Sequence, residues 1–298
     1  MNGRTFFLWS LGLSVLIVYL FASAPPPLPE QAGDANIPIA RVFALVEAEN
    51  DVVRALWTKE IVGAGKQTGL KFNENWREPG EDAGPLPALF LRATAMSLEK
   101  DPVRLSLFLG SDFPISPANR FQGLQQDKFK LIRETMAPQF FRMADTGLYT
   151  AMFPDEAVAE ACVTCHNDHQ DSPKHDWKLH DVMGATTWSY PEAKVSTDEL
   201  IRIIAALHKG FREAYEAYLR KASTFRYPPE IGSRWPRDGY FLPSADAFMN
   251  EVMDRTARST LEALLIAAGP EAESAPAQAR ETDHVSSPPP VQVPSRHP

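Results

Sequence analysis

Both cysteines of this 298-residue chain stand in one stretch of five residues, Cys162-Val163-Thr164-Cys165-His166. Two thiols one helical turn apart match the two vinyl groups on one edge of a porphyrin, and the adjacent histidine can then reach an iron. The same stretch would serve as a CxxC redox pair or as half of a zinc site. Zinc wants four protein ligands, and the chain has no second CxxC and no HxxxH pair, although His169, His175 and His180 follow closely. A thioredoxin-like pair wants a strand before it and a helix opening after it. The haem reading uses the histidine as well as both thiols, and it leaves no cysteine for a disulfide or for thiolate ligation of iron.

Covalent haem of this kind is attached on the outer side of an energy-transducing membrane, so the motif makes a demand on the N-terminus. Phe6 to Ala22 is an apolar run without a charge, within the range of a membrane span. Ala22-Ser23-Ala24 resembles a small-residue cleavage site, but Pro25-Pro26-Pro27 follows directly and disfavours the peptidase. We therefore expect a retained anchor over residues 1–24. Arg4 is the only basic residue before the run and none follows until Arg41, which predicts the N-terminus inside and the remainder on the periplasmic, extracytoplasmic side of the inner membrane.

The remainder has the composition of a soluble body, with 44% hydrophobic and 23% charged residues. A formal net charge of -8 and the absence of any run of Lys and Arg argue against nucleic acid or an anionic membrane surface as partner. Composition divides the chain into the anchor, a proline-rich linker (25–37), a folded domain (38–192), a helical extension (193–269) and a tail (270–298) expected to be disordered.

Within the domain, Val42, Leu45, Val46, Val52, Val53, Leu56 and Trp57 recur at helical spacing and predict a helix over 38–63, with Glu47, Glu49 and Lys59 off the stripe. Residues 86–98 and 119–136 read as further helices. Leu105, Leu107 and Leu109 alternate as in a half-buried strand. Residues 139–143 and 148–153 read as a hairpin about Ala144-Asp145-Thr146-Gly147, and 185–190 as a strand closing the sheet. Helices mixed with hairpin-linked strands predict an α+β domain with an antiparallel sheet.

At Ala161-Cys162-Val163-Thr164-Cys165-His166-Asn167, Asp171-Ser172-Pro173-Lys174, Asp176-Trp177-Lys178 and Asp181-Val182-Met183-Gly184 the chain resembles the Tll0287-like haem domain family. Glu74-Asn75-Trp76-Arg77, Leu86-Pro87-Ala88 and Asn119-Arg120-Phe121 are similar to its pattern as well, and the resemblance covers roughly residues 40–191. It implies a PAS-like domain carrying one covalent haem c in the extracytoplasmic part of sensor kinases, cyclases and short anchored proteins. The chain departs from the family at Gln170, where Pro is common, and at His180, where Gly is usual.

Carried over, Cys162 and Cys165 hold the thioethers and His166 is the proximal iron ligand. Met183 is the candidate sixth ligand, and an open sixth position available to a small gas is equally consistent. Lys174 and Lys178 are placed to neutralise propionates, Asp176 and Asp181 to orient a histidine or to cap turns, and Trp177, Phe140 and Phe141 to wall the porphyrin. His169 is too near His166 to reach the opposite face of one iron, and His208 reads as a helix surface residue.

Ser196-Thr197-Asp198-Glu199 is a capping box for a helix through Leu219. Its stripe of Leu200, Ile203, Ile204, Leu207, Phe211, Tyr215 and Tyr218 must pack on the haem domain, on a partner protein or on a second copy. A further helix is expected from about Ser244. No kinase, cyclase or DNA-binding output module follows. These features predict a redox or small-gas sensor acting through a partner, with a mono-haem electron carrier as the alternative. An enzyme is not expected, because the distal acid–base pair of a peroxidase is missing.

Overall fold

The structure is a computed structural model and describes Leu13 and residues 37–267. Apart from Leu13, the expected anchor, the linker up to residue 36 and the tail from residue 270 lie outside the described residues. Among the described residues no helix is long and apolar enough to cross a membrane.

Strand β1 (Ile37–Pro38) enters helix α1 (Ile39–Leu56), which continues through a π-helical stretch, Trp57–Gly63, and a last turn, Ala64–Gln67. Strands β2 (Lys71–Asn73) and β3 (Ala83–Pro85) pair in parallel. Helix α2 (Pro87–Leu98) starts on a proline, which suits a first turn whose N–H groups have no partner within the helix. Then come β4 (Ser106–Gly110), α3 (Leu124–Thr135) and the hairpin of β5 (Gln139–Arg142) with β6 (Tyr149–Glu156). Helix α4 (Glu160–Asp168) carries both cysteines, and β7 (Val182–Tyr190) returns to the sheet. Strand β8 (Lys194–Val195), α5 (Thr197–Ala222), β9 (Glu230–Gly232), β10 (Phe241–Pro243) and α6 (Ala245–Ala267) complete the order.

The main sheet is antiparallel in the order β4-β7-β6-β5. The expected last strand is thus not an edge: β7 lies in the middle, paired with β4 from Ser106↔Ser189 to Gly110↔Ala185. Such a position suits its unbroken run of buried residues. One face of the sheet, with Leu107, Ala151, Trp188 and Tyr190, joins the large core formed with α1, α2, α5 and α6. The other face, with Met152, Ala185, Phe108 and Phe141, is covered by Phe129 and Ile132 of α3 and by Phe121. The molecule is therefore layered as helices, sheet and one helix, an α+β arrangement.

Two differences from the sequence reading have clear causes, and one of its alternatives is selected. The helix expected from Asn119 begins only at Leu124, because Ser111 pairs with Arg120 and exchanges backbone hydrogen bonds with Asn119 and Phe121, and Gly123 then turns the chain at φ 55°. Glu47 and Glu49, expected off the buried stripe of α1, are 6% and 3% exposed. Helix α1 packs against the sheet, α5 and α6, which leaves it only a narrow exposed stripe through Ala44, Asp51 and Ala55. The stripe of α5 folds back on its own chain: Ile203, Leu207, Phe211, Tyr215 and Tyr218 are buried in the main core. Tyr215 stacks on Phe248 of α6 at 4.1 Å between ring centroids, and Trp57 stacks on Phe90 at 4.3 Å.

At the start of α5 the side chain of Ser196 accepts from the Glu199 N–H. The reciprocal half of the expected capping box is replaced, because the Glu199 carboxylate accepts from the Tyr190 hydroxyl. The chain entering α1 and the chain entering α5 are also tied together, through Ile37↔Val195 and Pro38↔Lys194.

Candidate functional site

The CxxCH segment sits where the sheet ends. A bulge between Asp155 and Glu156 breaks the register of β6 against β7, and a bulge bends the strand that carries it. Past the bulge the Ala157 N–H donates to the Asp181 carbonyl and the His180 N–H to that of Ala157, so the ladder holds both chains as they leave the sheet. Helix α4 opens three residues later.

Cys162 and Cys165 are three positions apart on α4, one turn along one face, and both are free thiols, Cys162 half-buried and Cys165 exposed. Burial and the nearby Glu74 carboxylate push the Cys165 thiol up. A redox CxxC needs the opposite, a depressed thiol. Burial lowers the pKa of His166, opposed by the charge of Asp155, so its imidazole is neutral near pH 7. Its Nδ1 is buried without a hydrogen-bond partner. A neutral imidazole beside two unpaired thiols is the donor set that a covalent haem uses.

The loop from His169 to Asp181 folds over α4 and shows why the short motifs recur together. The Asn167 amide donates to the Trp177 carbonyl at 3.0 Å and accepts from the Trp177 N–H at 2.9 Å, copying one rung of a sheet. His175 Nδ1 donates to the Asn167 carbonyl at 2.6 Å. Ser172, buried, donates to the Lys174 carbonyl at 2.7 Å. Asp181 accepts from the Lys178 N–H at 2.9 Å, so of its two expected roles it takes the turn cap. His180 adopts φ 69°, a conformation that glycine tolerates best. Gly184 allows a close approach of strands: a Cβ on it would lie 2.6 Å from the Gly110 carbonyl oxygen.

The locked indole packs with Ala157 and Met183, and Phe113, Cys162 and Val163 close round them. Trp177 and Met183 are thus brought to the cysteine helix, and the Met183 carbonyl is fixed by the Ser111 hydroxyl at 2.5 Å. Trp177 Nε1, like His166 Nδ1, has no partner. Two orphaned polar atoms beside two free thiols make these residues fit a haem held by Cys162, Cys165 and His166.

Other expected site residues lie elsewhere or are already engaged. Lys174 stands over the Trp177 ring, 4.5 Å from its centroid, and pairs with Asp176, whose carboxyl that hydrogen bond lowers. Asp176 therefore orients no histidine. His169 accepts from the Asp171 N–H through Nδ1 at 3.1 Å, which puts its proton on Nε2, and that nitrogen faces Glu74 at 3.2 Å. Phe140 and Phe141 point to opposite faces of β5: Phe141 joins the α3 side, and Phe140, 46% exposed, meets Phe153 edge-on at 5.8 Å. The two phenylalanines cannot wall one porphyrin together. Phe140 shares its face with Phe153 and Asp155. His208 is no free surface residue, since its Nε2 reaches the buried Glu49 at 2.7 Å.

Arg54 and Asp155 were not anticipated. They form an ion pair across 101 residues, and only the fold could reveal it. Among the described residues no three or more Cys, His, Asp or Glu side chains gather as a metal cluster, so the zinc alternative gains no further ligands here.

Comparison of the chain with curated proteins and with solved structures gives no match. The sequence model of one family, described as Tll0287-like, matches residues 43–191. That span runs from α1 to the end of β7 and takes in the cysteine helix, the loop locked by Asn167 and all four strands of the main sheet. The chain belongs to the Tll0287-like family.

Proposed function

We propose that this chain is a membrane-anchored, extracytoplasmic haem protein with one haem c, bound through Cys162 and Cys165 and ligated by His166, and that it senses redox state or a small gas through a protein partner. Family membership suggests a haem-binding domain. The observation that carries the covalent, c-type reading is the geometry of α4: two free thiols one turn apart, next to a neutral His166 whose Nδ1 lacks a partner. Haem bound there would supply one-electron chemistry and, with an open sixth position, gas binding.

Trp177 and Met183 would shield the cofactor, and Met183 is the proposed sixth ligand because it packs beside Cys162. Lys174 keeps a propionate role only if it exchanges Asp176 for the propionate. The sensing reading draws support from β7, which follows the haem segment directly and holds both Glu47 of α1 and Glu199 of α5 through Trp188 and Tyr190. A partner meeting α5 would have to use its outer face, where Ile201 is exposed. Electron transfer is the second reading, favoured by the exposure of Cys165, which would leave one haem edge near solvent. We propose no catalytic role.

The test replaces Cys162 and Cys165 together by serine in the full chain. We expect haem staining after denaturing electrophoresis to vanish while the protein stays in the membrane fraction. Staining that survives the double change overturns the covalent reading, and recovery of wild-type protein in the soluble fraction overturns the anchor. Spectra of the reduced wild type then separate the two roles, since a carbon monoxide shift requires a displaceable or absent sixth ligand.

A further inference from the structure

A polar cluster that begins at a buried Glu47 and ends at a partly exposed ion pair joins α1 to the haem segment. Glu47, 6% exposed, accepts through Oε2 from Trp188 Nε1–H at 2.5 Å and from Asn50 Nδ2 at 3.4 Å. Asp51 and Arg54 follow at four and seven positions, on the same face of α1. Arg54 pairs with Asp155 of β6, and the charge of Asp155 acts on the His166 ring.

Three carboxyl groups thus face one guanidinium. Of the three, Glu47 alone is buried, Asp51 being exposed and the Asp155 side chain 26% exposed, and a buried carboxyl with no cation of its own holds a proton instead. Glu47 is the group to hold it. It is the deepest of the three, its hydrogen-bond partners are neutral, and it lies two turns from Arg54. Burial, reinforced by Asp51, pushes its carboxyl up to about 8. On the neighbouring helices His208 of α5 is engaged with Glu49, on another side of α1, and Arg255 of α6 with Glu60 at 3.7 Å.

We propose that Glu47 is a redox-linked proton site, taking one proton from solvent when the iron at His166 accepts one electron from an external one-electron reductant and returning it on reoxidation. The inference rests on the haem reading above. Ferric iron carries one more positive charge than ferrous iron, so it favours the Glu47 carboxylate, and reduction favours the neutral acid. Asp155 and Arg54 connect the two sites. Because the electron and the proton enter together, the iron and the cluster taken together keep their net charge through the redox cycle.

The test uses the full chain with its haem, with dithionite as reductant and ferricyanide as oxidant. Midpoint potentials are read optically from about pH 6 to 10 for the wild type, Glu47→Gln and Trp188→Phe. We expect the wild-type midpoint to fall through the region near pH 8, approaching about 59 mV per tenfold change in proton concentration, the value for one proton per electron. Glu47→Gln should be flat there. Trp188→Phe removes the N–H that favours the carboxylate and should move the fall to higher pH. An infrared carboxyl C=O band that appears on reduction in the wild type and is missing in Glu47→Gln distinguishes this group from the haem propionates.

A wild-type midpoint flat across the range overturns the proposal. So does a wild-type slope retained in Glu47→Gln or, if that variant fails to fold, a fall left unmoved in Trp188→Phe. A wild-type protein lacking a covalent haemochrome overturns the haem reading itself, and that result is visible before any potential is measured.

Discussion

Gly184 shows how much a single residue near the cysteine helix is constrained by its neighbours. It lies where β7 crosses β4, and the Gly110 carbonyl occupies the space a side chain would need. The obstacle is backbone, so it cannot rotate away. Gly184→Ala should therefore destabilise the protein by about 1–3 kcal/mol, the usual cost of overpacking. The check is a denaturant titration in which the midpoint falls and the slope is unchanged. At this scale the sequence was legible wherever chemistry is local. Cys162, Cys165 and His166 fall on one turn of one helix, and Asn167, adjacent to them, does the locking. Lys174 was not legible in the same way. Its partner Asp176 is only two residues off, yet spacing alone cannot say whether that lysine meets a carboxylate, an indole or a propionate.

Among the elements, α1 departs furthest from its amphipathic pattern. A helix read as one stripe with a polar back has Glu47, Glu49 and Asn50 buried as well, and Glu47 bears the consequence. Its carboxyl pKa is raised in the folded protein, from 4.5 to about 8. Between those values the folded state binds more protons than the unfolded state, so stability falls as pH rises through that window and levels off above it. The haem-loaded wild type should therefore lose thermal stability relative to Glu47→Gln on going from about pH 5 to pH 8. Unfolding temperatures of the two proteins at matched pH check this, and a difference that stays constant across the window would refute it. The β5–β6 hairpin, by contrast, was readable from its turn residues, because a tight turn fixes its own register. The π-helical stretch at Trp57–Gly63 leaves no such local mark, since it is set by how Trp57 wedges among Phe90, Tyr215, Tyr218 and Phe248.

On the scale of the whole molecule, the family boundary at residue 191 is not a folding boundary. Helices α5 and α6 lie beyond it, yet Phe211, Tyr215, Tyr218 and Phe248 are completely buried against Trp57, Phe90 and the sheet. Each such side chain contributes about 1.5–3 kcal/mol on burial, and a typical domain has only about 5–15 kcal/mol of net stability. Four of them already equal that margin. Residues 37–192 expressed alone should thus fail to unfold cooperatively, whereas 37–267 should show one sharp thermal transition by circular dichroism. The sequence announced both helices and the need for their stripe to be covered, but a periodic stripe names no partner. A sharp transition in the shorter fragment would mean that the extension is a separable layer. Its absence would mean that β7, held between Glu47 on α1 and Glu199 on α5, passes any displacement at the haem into helices without which the domain does not fold.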